Sequence, residues 1–263
     1  MKTLFKFLIA ALVVFSQVAC NNDDDSTPQK GEAKLMVHLT DAPGDYDAVF
    51  VDVQDVMIKY SGEEGEVSLG EIEAGVYDLL ELTGGVTVLL ADHDVPTGRI
   101  SQIRLVLGDN NSVVVDGQTH DLQTPSAQQS GLKINVNQDV EANIQYEFIL
   151  DFNVEESIVV QGNGNYLLKP VIRASLLNET GSISGSLFPI GITALVTASN
   201  NTDTISAYTN ADGEFYLHGV PEGTYTITIE PDISFGFAIT SIIDVVVLQG
   251  QITTLGEIEL DLL

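Results

Sequence analysis

Residues 144–152 read Ile-Gln-Tyr-Glu-Phe-Ile-Leu-Asp-Phe, and their period decides the fold. Ile144, Tyr146, Phe148, Leu150 and Phe152 recur at every second position, with polar residues between them except at Ile149. Successive side chains of a strand point to opposite faces, so this spacing predicts a strand with one face in a core and the other wet. The same period recurs upstream: Leu35, Val37 and Leu39 alternate with Lys34, Met36 and His38, and Ile103, Leu105 and Leu107 repeat it. Between Val113-Val114-Val115 and a polar strand stands Asp116-Gly117, the pair that a type I′ hairpin needs for positive φ at both central residues. Only Tyr77 to Ala91 resists a strand reading, since leucines lie on both sides of Gly84-Gly85. Val95-Pro96-Thr97-Gly98 and Val220-Pro221-Glu222-Gly223 each put a turn just ahead of an alternating run.

The expected fold class is therefore all-β, as two β-sandwich domains in tandem. Charge marks the division between them. Every Lys and Arg precedes residue 181, whereas residues 181–263 carry ten acidic residues and no basic one. A composition step of this kind reads as a domain boundary, giving domains at 33–176 and 181–263.

The N-terminus gives an address. Lys2 and Lys6, the apolar run Phe7 to Phe15, Gln17-Val18-Ala19 and Cys20 follow the order of a secretion signal ending at a lipidation site. The apolar run falls short of the ~20 residues that span a bilayer, so residues 1–19 are expected to be removed and Cys20 acylated. Gln17 departs from the Leu usual three residues before a lipidated Cys. Cys20 is the only cysteine, so disulfides, thiolate metal sites and cysteine nucleophiles are excluded from the folded part. Residues 20–32 are polar and acidic and should form a flexible tether. Without Lys2 and Lys6, eight basic residues face 38 acidic ones, a net charge of −30. Nucleic acid and anionic lipid surfaces are repelled by such a chain.

Five segments, LTDAPGDYDAVFV (39–51), YDLLELTGG (77–85), VPTGRISQIRLVLGDNNSVVVDG (95–117), TPSAQQSGLKI (124–134) and LKPVIR (168–173), resemble a bacterial lipoprotein family of unknown function, the domain-of-unknown-function family numbered four thousand three hundred and eighty-two. That family brings no activity with it. GSISGSL (181–187), YTNADGEFYLHGVPEGTYTITIEP (208–231) and VVVLQGQITTLGEIEL (245–260) are similar to the carboxypeptidase-regulatory-like family. This second resemblance implies a prealbumin-like sandwich of about seven strands, an accessory module in which Asp212-Gly213 turns a hairpin and Phe215 and Leu217 fill the core. Asn21-Asn22-Asp23-Asp24-Asp25 resembles the acidic signal that places Bacteroidetes lipoproteins on the outside of the outer membrane. Asp25-Ser26-Thr27 and Asp203-Thr204-Ile205 resemble an O-glycosylation acceptor motif, making Ser26 and Thr204 candidate attachment points.

Catalytic signals are sparse. Asp41, Asp45, Asp47 and Asp109 have some of the oxygen density of a calcium site but neither the spacing nor the closing Glu of an EF-hand, and an Asx-rich turn explains the first three as well. His38, His93, His120 and His218 are scattered without zinc spacing, and a surface His beside a carboxylate is the ordinary reading of His93 and His120. No nucleophile elbow, phosphate loop or HExxH occurs. No catalytic residue and no cofactor is assigned, with calcium as the one cofactor weighed. The expectation is a non-catalytic lipoprotein of the outer membrane acting in binding, adhesion or scaffolding, attached to the membrane by its lipid and meeting an envelope protein or an extracellular glycan. Two alternatives stand beside it. A carbohydrate-binding protein is disfavoured by the absence of Trp and the spread of eight Tyr along the chain, and an unrecognised hydrolase would need paired carboxylates that only three dimensions can reveal.

Overall fold

The computed structural model describes residues 31–42, 46–124 and 131–263. The first half runs β1 (Glu32–Ala42), β2 (Ala48–Tyr60), β3 (Val67–Ser68), β4 (Gly75–Asp78), β5 (Val88–Pro96), β6 (Gly98–Leu107), β7 (Ser112–Val115), β8 (Gln118–Gln123), β9 (Leu132–Val140), β10 (Gln145–Asn153), the one-turn helix α1 (Val154–Ser157), β11 (Ile158–Val160), β12 (Tyr166–Leu168) and β13 (Ile172–Leu176). The second half runs β14 (Gly181–Phe188), β15 (Ala194–Ser199), β16 (Thr204–Tyr208), β17 (Glu214–Val220), β18 (Gly223–Pro231), β19 (Thr240–Val247) and β20 (Ile252–Glu259). Apart from that one-turn helix and short 3-10 turns, the described residues form strands and their connections, as the alternation requires.

Four sheets result. One has the order β13-β10-β1-β5, with β1 and β10 parallel. The second runs β11-β12-β8-β7-β2-β6-β9, and β3 and β4 also pair with β2. These two enclose one core, to which Leu35, Val37 and Leu39 of β1, Ile103, Leu105 and Leu107 of β6, and Tyr146, Phe148, Leu150 and Phe152 of β10 all contribute. The sheets β17-β14-β20 and β16-β15-β18-β19 enclose a separate core around Phe215, Leu217, Tyr225, Ile227 and Ile229.

Local expectations meet three outcomes. Asp116 and Gly117 take φ of 51° and 70° and join β7 to β8 with Val115 opposite Gln118, the two-residue turn that their sequence demands. The stretch 77–91 resolves into the end of β4, a 3-10 turn at Leu79–Glu81 capped by the Asp78 side chain, and the start of β5, with Gly84 and Gly85 at positive φ between them. Asp212-Gly213 turns the chain, but its flanking strands enter different sheets, β16 pairing with β15 and β17 with β14, so it is a corner between sheets and not a hairpin. Asn210 sets that corner, because its Oδ1 accepts from the N–H of Asp212 and of Glu214.

The apolar period in 144–152 departs from its expected pattern at two positions. Ile144 precedes the strand and is 39% exposed, while its carbonyl accepts the Lys34 N–H. Ile149, the one residue that broke the alternation, is 2% exposed yet belongs to neither core. It sits on the outer face of its sheet. That face is covered rather than wet, because β10 and β13 lie against β17 and β1 lies against β16.

Candidate functional site

The covered face is a polar junction between the two halves. Alternation on β1, β10 and β13 sends the residues that do not enter the core outward: His38 and Thr40, then Glu147, Ile149 and Asp151, then Arg173 and Ser175. Strand register sets Asp151 opposite Arg173 and Thr40 opposite Asp151.

Arg173 is the bridge. Its Nη2 donates to Asp151 Oδ2 at 2.8 Å and to the His218 carbonyl at 2.8 Å, and its Nη1 donates to the Gly219 carbonyl at 2.7 Å. A guanidinium suits this position, since its planar fork can serve a carboxylate on one domain and two carbonyls on the other at once. Burial pushes the Asp151 carboxyl up, and the Arg173 charge beside it pulls it back in part. Asp41, on the core side at the end of β1, is 4% exposed, and the backbone N–H of Val154 at the start of α1 offsets only part of the cost of burying its carboxyl. Burial, reinforced by the negative charge of Asp151, holds its carboxyl well above the usual range.

His218 closes the other side. Its Nε2 lies 3.3 Å from the Gly85 carbonyl, which can only accept, so the ring carries its proton there. Burial lowers its pKa to about 4, against the help of that hydrogen bond and with the positive charge of Arg173 adding to the effect. Tyr216 leans on the His218 ring at 4.3 Å between centroids. Thr40 Oγ1 lies 3.0 Å from the carbonyls of Leu82 and Val86 and ties down the Gly84-Gly85 loop that meets His218. His38 Nε2 is 3.0 Å from Glu147 Oε1 nearby.

Glycines set how closely the halves approach. A Cβ on Gly85 would lie 2.6 Å from Tyr216 Cβ, and one on Gly219 would lie 2.3 Å from Ser175 Cβ. Both also have positive φ, 94° and 61°.

Beside a smaller groove of about 420 Å³ at Gly84 and Tyr216, two larger grooves flank this junction. The first, of about 510 Å³, is lined by residues that include Asn135, Gln138, Arg173, Glu179 and Asp203. The second, of about 660 Å³, takes Tyr46, Leu80 and Glu155 from the first domain and Leu195, Tyr208 and Glu230 from the second. Tyr208 Oη lies 3.4 Å from Glu155 Oε2 and so reaches across the seam. Both volumes fall in the roughly 300–1,000 Å³ range of small-molecule sites.

The residues singled out from sequence are dispersed. Cys20, Ser26 and Asp45 lie outside the described residues. Asp41 is buried, whereas Asp47 is exposed and its Oδ2 accepts the Gly117 N–H at 2.7 Å, steadying the hairpin turn. Asp109 is exposed at the β6–β7 turn, where Asp52 holds the neighbouring Asn110 through its N–H and its side-chain amide. Among the described residues no group of three or more His, Cys, Asp or Glu is placed to hold a metal ion. Thr204 is the exposed first residue of β16 and lines the first groove. His93 lies on β5, and His120 packs at 5.0 Å from the Tyr166 ring. His38 and His218 converge on the junction, a pairing that their spacing gave no hint of. Among the described residues no helix is long and apolar enough to cross a membrane.

Comparison with known proteins adds a family. The model for "Domain of unknown function (DUF4382)" matches residues 32–170, which takes in most of the first core and stops before the second. No curated protein matches the chain. Among solved structures, the Bacillus anthracis TIE protein is 11% identical with a TM-score of 0.23, covering 88% of this chain but 34% of its own, so this chain spans about a third of it. GBS52, the minor pilin of Streptococcus agalactiae, is 9% identical at a TM-score of 0.23, covering 87% of this chain and 96% of its own. The shaft pilin SpaA of Lactobacillus rhamnosus GG, as its D295N mutant, is 10% identical at a TM-score of 0.25, covering 89% and 98%. Scores this low mean that nothing about this chain follows from those names.

Proposed function

The chain belongs to the family described as Domain of unknown function (DUF4382), and from that premise we propose that it is a non-catalytic, lipid-anchored binding component of the bacterial outer membrane, displayed toward the exterior. The single observation that carries the binding role is the pair of ligand-sized grooves along a seam where two β domains are fixed to each other. Residues 181–263 are read as a carboxypeptidase-regulatory-like module, whose part here is to form one wall of those grooves. Address and orientation rest on the Cys20 context and on the net charge of −30 that the exposed part carries.

The non-catalytic reading is supported by how the reactive groups are employed. Arg173 and His218 bind carbonyls of the opposing domain, and the Asp41 carboxyl is enclosed rather than opened to a groove.

Protease treatment of intact cells, together with crosslinking in intact outer membranes, tests this reading. Digestion without lysis and capture of an envelope protein or glycan are expected, and Cys20→Ser should release the protein from the membrane fraction. Full protection until lysis would place the protein on the inner side, and an empty crosslinking result from the surface would remove the binding role.

A further inference from the structure

We infer that the groove between Tyr46 and Tyr208 is a binding site for a neutral saccharide, seated across the seam between the two domains. The inference rests on the binding role proposed above and names its ligand.

The groove offers two kinds of surface. Tyr46 comes from the segment leading into β2 and Tyr208 from the end of β16, so each domain supplies one aromatic ring, with Leu80 and Leu195 adding apolar wall. The charged groups of the lining are Glu155 on α1, Glu230 on β18 and Asp232 just beyond it, and all are acids. Ionised carboxylates only accept hydrogen bonds, so the occupant must donate. No Lys or Arg lines the groove, so phosphates, sulfates and uronic acids meet repulsion with no compensating cation. What remains is a ligand with apolar patches for the rings and many O–H donors at its rim, which describes the face and edge of a neutral sugar ring.

The alternative donor is a cation. It would gain from the same acids, but it uses a charge at one point, whereas this groove of about 660 Å³ has its rings on opposite domains and room for more than one sugar unit. Part of its polar lining is also already engaged: Asn210 binds its own corner, Thr209 Oγ1 donates to the Ile192 carbonyl, and Asp232 caps the Ile233–Phe235 turn through the Ser234 N–H. Of the other two carboxylates, Glu155 accepts from Tyr208 Oη at 3.4 Å across the seam with one of its oxygens, and Glu230 stands on the second domain. Those two walls would take hydroxyls from opposite sides of one ligand.

The chain has no Trp, so its emission comes from eight Tyr, and the part of a ligand-induced change lost in Tyr46→Ala or Tyr208→Ala is what these two rings report. The probes are maltohexaose, cellohexaose, xylohexaose and mannohexaose, with hexalysine as the cationic comparison. They are titrated into the protein without its signal peptide and into its Tyr46→Ala, Tyr46→Phe, Tyr208→Ala, Tyr208→Phe and Glu230→Gln variants. At least one hexasaccharide is expected to bind with little dependence on salt, and either Tyr→Ala change should weaken it by about tenfold or more in protein that still unfolds cooperatively, with Tyr46→Phe and Tyr208→Phe retaining most of the binding. Glu230→Gln should weaken it less, because an amide oxygen still accepts. Hexalysine binding that disappears in high salt, with no saccharide bound, would overturn the ligand class. Saccharide binding unaffected by both Tyr→Ala changes would overturn the site while leaving the binding role intact. No binding by any probe, alongside successful surface crosslinking to a protein, would likewise remove this inference and leave the role standing.

Discussion

Replacing Arg173 by Met tests whether the junction makes the two domains one unit. Met retains much of the apolar stem and removes the guanidinium. Three hydrogen bonds of 2.7–2.8 Å go with it, two of them to carbonyls of the other domain, and Asp151 loses its cation. Breaking a buried charge pair by deleting one partner costs about 3–5 kcal/mol, and Arg173 is 34% exposed, so water reaches part of the vacated site. The loss should therefore fall near the lower end, about 3 kcal/mol, a large share of a typical domain's stability. Urea unfolding followed by tyrosine emission and by far-ultraviolet circular dichroism is the assay. The parent should unfold in a single transition, and Arg173→Met should separate it into two because the shared interactions are gone. Acid should soften the defect. Asp151 already has a raised carboxyl pKa, and removing Arg173 removes what lowers it. A raised acid binds more protons folded than unfolded, so its penalty grows as pH climbs above the unfolded value and disappears as pH falls toward it. Adding Asp151→Leu should restore part of the loss at neutral pH. A change below about 1 kcal/mol with one unsplit transition would refute the reasoning, since neither the desolvated carboxylate nor the bridge would then matter.

Other perturbations separate the remaining contributions. Gly85→Ala places a Cβ 2.6 Å from Tyr216 Cβ at a φ of 94° and should cost about 2–4 kcal/mol by denaturant unfolding, from backbone strain and overpacking together. Gly117→Ala, with positive φ but open space around it, should cost only about 1 kcal/mol. His218, held to about 4 against an ordinary 6.5, binds fewer protons folded than unfolded, so stability is lost as pH falls from 6.5 toward 4, by roughly 3 kcal/mol in total. His218→Gln, which can still donate to the Gly85 carbonyl, should flatten that slope in urea midpoints measured across the range. Asp41→Asn should act in the opposite sense, stabilising the protein at neutral pH by about 1 kcal/mol or more, because its raised carboxyl is least costly when protonated, and the gain should vanish in acid.

Strands were readable from this chain because their signal is local. Tyr146, Phe148, Leu150 and Phe152 announce a buried face within nine residues, and Asp116-Gly117 announces its turn within two. The junction was not readable, for a chemical reason. Arg173 binds backbone carbonyls of residues 45 and 46 positions away, and His218 binds a carbonyl 133 positions away. A carbonyl acceptor has no sequence identity, so no motif can mark it. Two faint traces were present all the same. Ile149 broke the alternation where a polar residue belonged, and a break of that kind is what a covered outer face leaves in a sequence. Arg173 is the last cation before a stretch with none, which places a guanidinium where the following domain folds back. Tyr46 and Tyr208 show the opposite limit: tyrosines spread along a chain say nothing about whether two of them share a groove.

The glycines connect the junction to the grooves. A backbone can approach Tyr216 or Ser175 as closely as Gly85 and Gly219 do only because neither carries a Cβ, and each holds a positive φ that other residues adopt at a cost. Close approach places the Gly85 carbonyl within reach of His218, and the Gly219 and His218 carbonyls within reach of Arg173. Those contacts fix the relation between the two sheets, and with it the distance between walls that carry Tyr46 on one domain and Tyr208 on the other. A groove built from two freely moving domains would have to order them each time a ligand arrived, and that ordering would subtract from affinity. Here the ordering is done by folding. The second domain then contributes to binding in two ways, through the residues that it puts into the groove and through the carbonyls that it offers to Arg173, which stands outside that groove.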